Sequence, residues 1–304
     1  MAGALWEKDS RVLVGIMSWP AAGGVAVVGW RAAGVAGPIL NGAMPALGHD
    51  EEYWREFLTR PHSLQAAGRR FFSRLPTDPR CRFCGAPFAS LGGVVMRLIG
   101  RRQSQANPNY CNACETKLIK HHGGAEVEGS MLFADIRGST ALAAKMTPTE
   151  YRSVLNRFYT TASSVVFAHD GMVDKFVGDE LVAMFPHWLS AQRHAQRAVE
   201  AAQDLLRSTG HANPRGPWVP LGAGVHSGQA WFGAVGEGGH VELTVIGDVI
   251  NVAARLVAQA AAGEILVSID AATRAGLAST LPRRVLQLKG KEKPIEVVSL
   301  RVDG

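Results

Sequence analysis

Three short stretches of this 304-residue chain carry side chains whose types and spacing could do chemistry together: FADIRGST (133–140), DKFVGDELVAMF (174–185) and TVIGDVINVAAR (244–255). The first two each place an aspartate, Asp135 and Asp179, at a strand end or in a tight turn. The third puts Asn251 and Arg255 four residues apart, so one helix face carries both. Two carboxylates suited to hard cations, with a polar and a cationic side chain on one helix face, are the parts needed to handle a nucleoside triphosphate.

Each stretch alone has a plainer explanation. Asp135 before Gly-Ser-Thr fits a helix cap, and Asp179 fits a hairpin turn. Gly138 lets the backbone approach a ligand closely, and the N–H groups of Ser139 and Thr140, near a helix start, suit phosphate oxygens. Lys175 is expected on the strand face of Val173 and Val177, where a charge implies a sheet edge or a target. Thr244 is an ordinary strand residue, and Asp248 is expected to be a helix N-cap.

The elements that must position these residues alternate strand and helix. Glu126–Ala134 reads as a strand that ends at Asp135. Thr147 or Thr149 should cap a helix whose apolar positions, from Tyr151 to Val166, recur with helical spacing. Met172–Val177 and Leu181–Phe185 form a hairpin through Gly178-Asp179; Leu221–His226 and Ala230–Val235 form another around Ser227-Gly228. Val241–Ile246 is a strand, Asp248–Ala260 a helix, and three further strands follow. The expected class is α+β, a mostly antiparallel sheet with helices on one face.

Read in order, F-x-D-I-x-G-S-T, K-x-x-G-D, HSG (226–228), G-D-x-x-N-x-x-x-R (247–255) and L-K-G-K (288–291) resemble the catalytic domain of class III nucleotide cyclases, over roughly residues 126–300. The resemblance implies a ferredoxin-like fold. It implies two Mg²⁺ or Mn²⁺ ions held by Asp135 and Asp179 with the Ile136 carbonyl. Asn251 would orient the ribose, Arg255 would neutralise charge on the α-phosphate, and Lys289 would meet the terminal phosphates. Lys175 and Thr244 would read the base. A lysine donor suits N1 of adenine, whereas guanine would want an acid there, so ATP is the expected substrate. The family site lies between two domains, and this chain has one copy of each half, which implies a homodimer with two shared sites. The implied activity is an adenylate cyclase releasing 3′,5′-cyclic AMP and pyrophosphate. VGDEL also resembles the hairpin motif of diguanylate-type cyclases, though Lys175 and the Asn251/Arg255 helix argue against that. A guanylate cyclase, or a zinc-containing regulatory protein whose cyclase half is catalytically dead, would compete with the adenylate cyclase reading.

The four cysteines of the chain form two pairs, Cys81-x-x-Cys84 and Cys111-x-x-Cys114. Four thiolates so spaced suit a tetrahedral structural Zn²⁺, with iron the runner-up, in a reducing, cytoplasmic compartment. His121 and His122 are expected in a linker rather than among the ligands. From Arg60 to Lys120 eleven Lys/Arg face two acids within a chain of net charge +6. This reads as a solvated surface around a small domain, and no nucleic-acid partner is expected. Residues 12–30 carry no charge, but their glycines and proline suit a membrane span poorly. A loosely packed arm is the main expectation for 1–48, and membrane contact through 12–48 is the second. The expected division is 1–48 arm, 49–120 helical and zinc module, 121–125 linker, and 126–304 catalytic domain.

Overall fold

The strand leading to Asp135 is apolar on both sides, and this dictates much of the architecture. In β1 (Gly123–Ile136), Met131 and Phe133 enter one core while Leu132, Ala134 and Ile136 enter another on the opposite face. Such a strand belongs in the middle of a sheet covered on both sides. The structure, a computed structural model, describes residues 48–60, 68–69, 71–72, 79–236, 241–277, 279–291 and 293–302. The described residues belong to one compact unit, Pro45–Gly304. The expected arm, 1–48, and the membrane segment within it, 12–48, fall almost entirely outside the described residues.

β1 pairs antiparallel with β3 (Glu180–Pro186) on one side and β4 (Leu221–Val235) on the other. With β2 (Met172–Val177), β6 (Glu264–Ser268), β7 (Arg283–Leu286) and β8 (Ile295–Arg301), the sheet runs β2-β3-β1-β4-β6-β8-β7. A further strand, β5 (Glu242–Ile246), pairs with β4 beside this path. The β4–β6 pairing is parallel and the others are antiparallel. The α+β sheet expected from the sequence is present.

One face is covered by α5 (Pro148–Ala168), α7 (His194–Ser208) and α9 (Ile269–Arg274). Thr147 caps α5 through a capping box with Glu150, which settles the choice between Thr147 and Thr149. The second face carries α8 (Asp248–Gln259) and the four-residue α6 (His187–Ser190), so helices lie on both faces rather than one. The rest of that face is covered by α1 (Gly48–Thr59) and a module holding α2 (Ser90–Leu98) and α3 (Asn112–Lys120). Phe57 stacks on Phe83 with ring centroids 5.7 Å apart and meets Trp188 at 6.0 Å; Trp188 meets Phe232 of β4 at 6.0 Å. Arg69, 1 % exposed, donates to the Phe83 and Gly171 carbonyls and so ties this module to the turn before β2.

Three local expectations are corrected. The stretch read as a linker, 121–125, is mostly strand: β1 starts at Gly123, and Gly124 pairs with Gly233, where a Cβ would lie 2.2 Å from the Phe232 carbonyl oxygen. The expected turn at Ser227-Gly228 is absent, since β4 runs unbroken through it while Ser130 and Gly129 pair opposite. The hydroxyls of Ser227 and Ser130 hydrogen-bond at 2.5 Å, which satisfies inside the sheet the polar groups that suggested a turn. Finally, the N-cap of α8 is Gly247; Asp248 sits in the first turn and pairs with Lys291.

Candidate active site

Asp135 is the penultimate residue of β1, and Asp179 lies in the β2–β3 turn that folds back onto it. Gly178 makes this turn at φ +61°, and Tyr159 of α5, stacked on Phe176 at 4.0 Å, donates its hydroxyl to the Gly178 carbonyl. The N–H of Ile136 donates to the Asp179 carbonyl at 3.4 Å, which holds the two motifs together. The two carboxylates lie close enough to repel, and Glu180, register partner of Asp135, adds a third. Burial, then the proximity of Asp179, raises the Asp135 carboxyl to about 6 against the pull of Arg137. Burial and both aspartates raise Glu180 to about 7, and its Oε1 is buried without a hydrogen-bond partner. Mutually repelling oxygen donors, one of them orphaned, fit hard divalent cations such as Mg²⁺ or Mn²⁺. After Asp135 the chain turns through Gly138 at φ +71° into α4 (Ser139–Ala143). No atom lies within 4 Å of where a Gly138 Cβ would stand, so the loop backbone faces open space.

Lys175 and Thr244 converge from β2 and β5 on one buried acid, Asp174. Its carboxylate is 3.3 Å from Lys175 Nζ, and Thr244 acts on it with Lys175 to favour the ionised form. Burial raises the Asp174 carboxyl, an effect opposed by Lys175 and Thr244. The β2–β3 register slips between Val173 and Lys175, so Asp174 is the extra residue of a bulge. Val173 and Phe176 consequently pack into the same core although three residues apart, and Lys175 points away from both. The expectation that Lys175 shares a face with Val173 is corrected by that bulge.

Asn251 and Arg255 project from α8, whose Val249, Ile250, Val252, Ala253, Leu256 and Val257 are buried. Asn251 is exposed and Arg255 half-exposed. The Lys289-Gly290 turn lies against Arg255, whose Nη2 is 3.4 Å from where a Gly290 Cβ would be. Lys289 is exposed. His226 of the HSG stretch has a different role: burial lowers its imidazole to about 4, and Nδ1 shares a 2.7 Å hydrogen bond with Ser268 Oγ. Among the described residues, neither Asp135 nor Asp179 makes a hydrogen bond or ion pair with Lys175, Thr244, Asn251, Arg255 or Lys289. The chain presents two half-sets. The sequence reading missed Asp174, Arg137 and Glu180; an acid inside the apolar run MVDKFV was the available signal for the first.

The four cysteines come together, with all four sulfurs within 4.8 Å of one another. Cys84 Sγ and Cys111 Sγ are 3.8 Å apart. A tetrahedron with metal–sulfur bonds of about 2.3 Å has edges of about 3.8 Å, so this spacing fits Zn²⁺. The Cys111 N–H donates to Cys81 Sγ at 3.2 Å, and Arg101 Nη1 lies 3.7 Å from Cys84 Sγ, donors that suit thiolates. Burial, reinforced by hydrogen bonding to Cys111, keeps the Cys81 thiol well above its usual range. His121 stacks on Tyr53 at 3.9 Å, apart from this cluster. Among the described residues no helix is long and apolar enough to cross a membrane.

Comparison with known proteins finds relatives over the carboxy-terminal part of the chain. An adenylate cyclase of Anabaena cylindrica is 32% identical over 131 residues, 42% of this chain and 26% of that protein. An uncharacterized protein of Mycobacterium tuberculosis is 35% identical over 185 residues, 58% of this chain and 32% of that one. The chain thus spans about a third or less of the length of these curated relatives. Among solved structures, the guanylyl cyclase Cya2 superposes with TM-score 0.55 at 25% identity, covering 60% of this chain and 95% of that one. The adenylyl cyclase CyaB from P. aeruginosa shares the fold, with TM-score 0.51 at 24% identity, covering 60% of this chain and 96% of that one. Residues 125–299, more than half of the sequence, match the adenylate and guanylate cyclase catalytic domain, and the chain belongs to that family.

Proposed function

We propose that the chain is an adenylate cyclase that converts ATP to 3′,5′-cyclic AMP and pyrophosphate at sites shared by two copies of itself. The observation that carries the choice of ATP is the Asp174–Lys175–Thr244 cluster. Lys175 offers a donor to N1 of adenine, and Thr244 can meet the exocyclic amine. The acid that guanine would require is Asp174, which is 8% exposed and already paired with Lys175.

Asp135 and Asp179, with the Ile136 carbonyl, are the residues that would hold two Mg²⁺ or Mn²⁺ ions. Bound there, the ions would lower the pKa of the ribose 3′-hydroxyl and neutralise the triphosphate. The backbone of Gly138, Ser139 and Thr140 cradles phosphate oxygens. Asn251 orients the ribose for in-line attack, and Arg255 neutralises charge growing on the α-phosphate. Lys289, on the turn against Arg255, meets the terminal phosphates. Among the described residues, Asp135 and Asp179 make no hydrogen bond or ion pair with Lys175, Thr244, Asn251, Arg255 or Lys289, which supports two-fold pairing of two copies. The four cysteines hold a structural Zn²⁺.

Purified chain supplied with Mn²⁺ and either ATP or GTP tests the reading. Cyclic AMP from ATP, well above cyclic GMP from GTP, is expected. Preferential cyclic GMP, cyclic di-GMP, or no product from protein that binds nucleotide would overturn it.

A further inference from the structure

The cysteine module meets the two base-reading strands through hydrogen bonds that start beside the cysteines. Arg82, inside the first Cys-x-x-Cys, donates from Nη1 to the Asp174 carbonyl at 3.0 Å. The buried hydroxyl of Tyr110, the residue before Cys111, accepts the Leu243 N–H at 3.1 Å. Asn107 donates from Nδ2 to the Val241 carbonyl at 3.1 Å and is itself buried. Asp174 precedes Lys175, and Leu243 precedes Thr244.

These contacts fall where the sheet provides little support. β2 is an edge strand of the sheet, and among the described residues β5 pairs only with β4. Each leaves a line of backbone groups that no ladder satisfies, so the strand's position depends on what covers that line. The Leu243 N–H is buried and would be orphaned without the Tyr110 hydroxyl. β2 also carries the Asp174 bulge, a local break in its own ladder.

We propose that the four-cysteine module is the positioning element of the nucleobase pocket. Arg82 and Tyr110 fix the spacing between Lys175 and Thr244, and through it set nucleotide affinity and adenine selectivity. The proposal rests on the reading of Lys175 and Thr244 as the base-reading pair. It assigns Arg82, Asn107 and Tyr110 as positioning residues that act through the strands and touch no substrate. The shared aromatic core of Phe57, Phe83 and Trp188 would by itself give the module only a stabilising role.

Steady-state kinetics on the full chain, with zinc content measured for each preparation, separates the two roles. Tyr110→Phe and Arg82→Met should raise KM for ATP about three- to tenfold, the effect of losing one hydrogen bond. The ATP-over-GTP preference should fall with it, while kcat and zinc content stay near those of the parent. A lower kcat at unchanged KM would mean fewer active molecules and would overturn the proposal. Unchanged KM and selectivity in zinc-loaded variants, with Lys175→Ala raising KM in parallel, would overturn it too. If Lys175→Ala itself leaves KM alone, the base-reading assignment fails first and the proposal with it. Should either variant lose zinc, Asn107→Ala, four residues from the nearest cysteine, gives the same reading.

Discussion

Arg137 reaches back two residues to ion-pair with Asp135, while its Nη1 donates to the carbonyls of Val257 and Ala260 at 3.1 and 3.4 Å. The guanidinium pulls the Asp135 carboxyl down while burial and Asp179 push it up. Arg137→Gln should therefore raise that carboxyl further. The acid limb of the kcat/KM–pH profile is expected to move up by about half to one unit. An unmoved limb would mean that the pair does not form in the active protein.

Asp135 at about 6 and Glu180 at about 7 stand above their ordinary values of 3.8 and 4.5. Groups raised on folding contribute stability that is full below their unfolded values and lost as pH rises through the folded ones. Cation-free protein should lose this contribution between about pH 4 and pH 7. Mn²⁺ requires ionised carboxylates, so its thermal stabilisation should be small at pH 5 and large at pH 8. Glu180→Gln should stabilise cation-free protein at pH 8 by roughly 1–2 kcal/mol, allowing for solvent screening. Melting curves at the two pH values check both.

Asp135→Ala and Arg255→Ala should each be inactive, because each would damage both sites of the proposed homodimer. Mixed in equal amounts, they should form dimers with one intact site and recover about a quarter of the parent activity. Mixed dimers that form, by size and cross-linking, yet stay silent would refute the shared site.

The cysteine module shares one core with the sheet through Phe57, Phe83, Trp188 and Phe232. Chelation or Cys81→Ser should lower the melting temperature of the whole catalytic unit by more than about 5 °C. Calorimetry should record one transition; a separate early one would mean that the module unfolds independently.

Two glycines should answer differently to alanine. At Gly124 the new Cβ would lie 2.2 Å from the Phe232 carbonyl oxygen and 2.6 Å from Gly233 Cα, both backbone. Gly124→Ala should cost about 2–4 kcal/mol. Gly138 has open space but φ +71°, so Gly138→Ala should cost only about 1 kcal/mol of stability. Denaturant titrations compare them.

What could be read from the sequence was what neighbouring residues decide. The capping box at Thr147, the buried stripe of α8 and the turn at Gly178 depend on side chains within a few positions of one another. The cysteine spacing likewise implied the cluster that forms. Contacts between distant segments left no such trace. The join between Tyr110 and Leu243 spans 133 residues, and nothing local indicates it. Ser227-Gly228 looked like a turn because its partner, Ser130, lies 97 residues away.

The bulge at Asp174 makes the active site a matter of counting as well as of composition. Removing that single position would leave K-x-x-G-D, Asp135, Asp179 and the hairpin turn intact as text. Lys175, now next to Val173, would still point to the opposite face and keep Val182 as its partner, but the buried carboxylate beside its ammonium would be gone. A relative with the same motif letters but no extra residue there would present its lysine on the same face with no acid beside it to hold it.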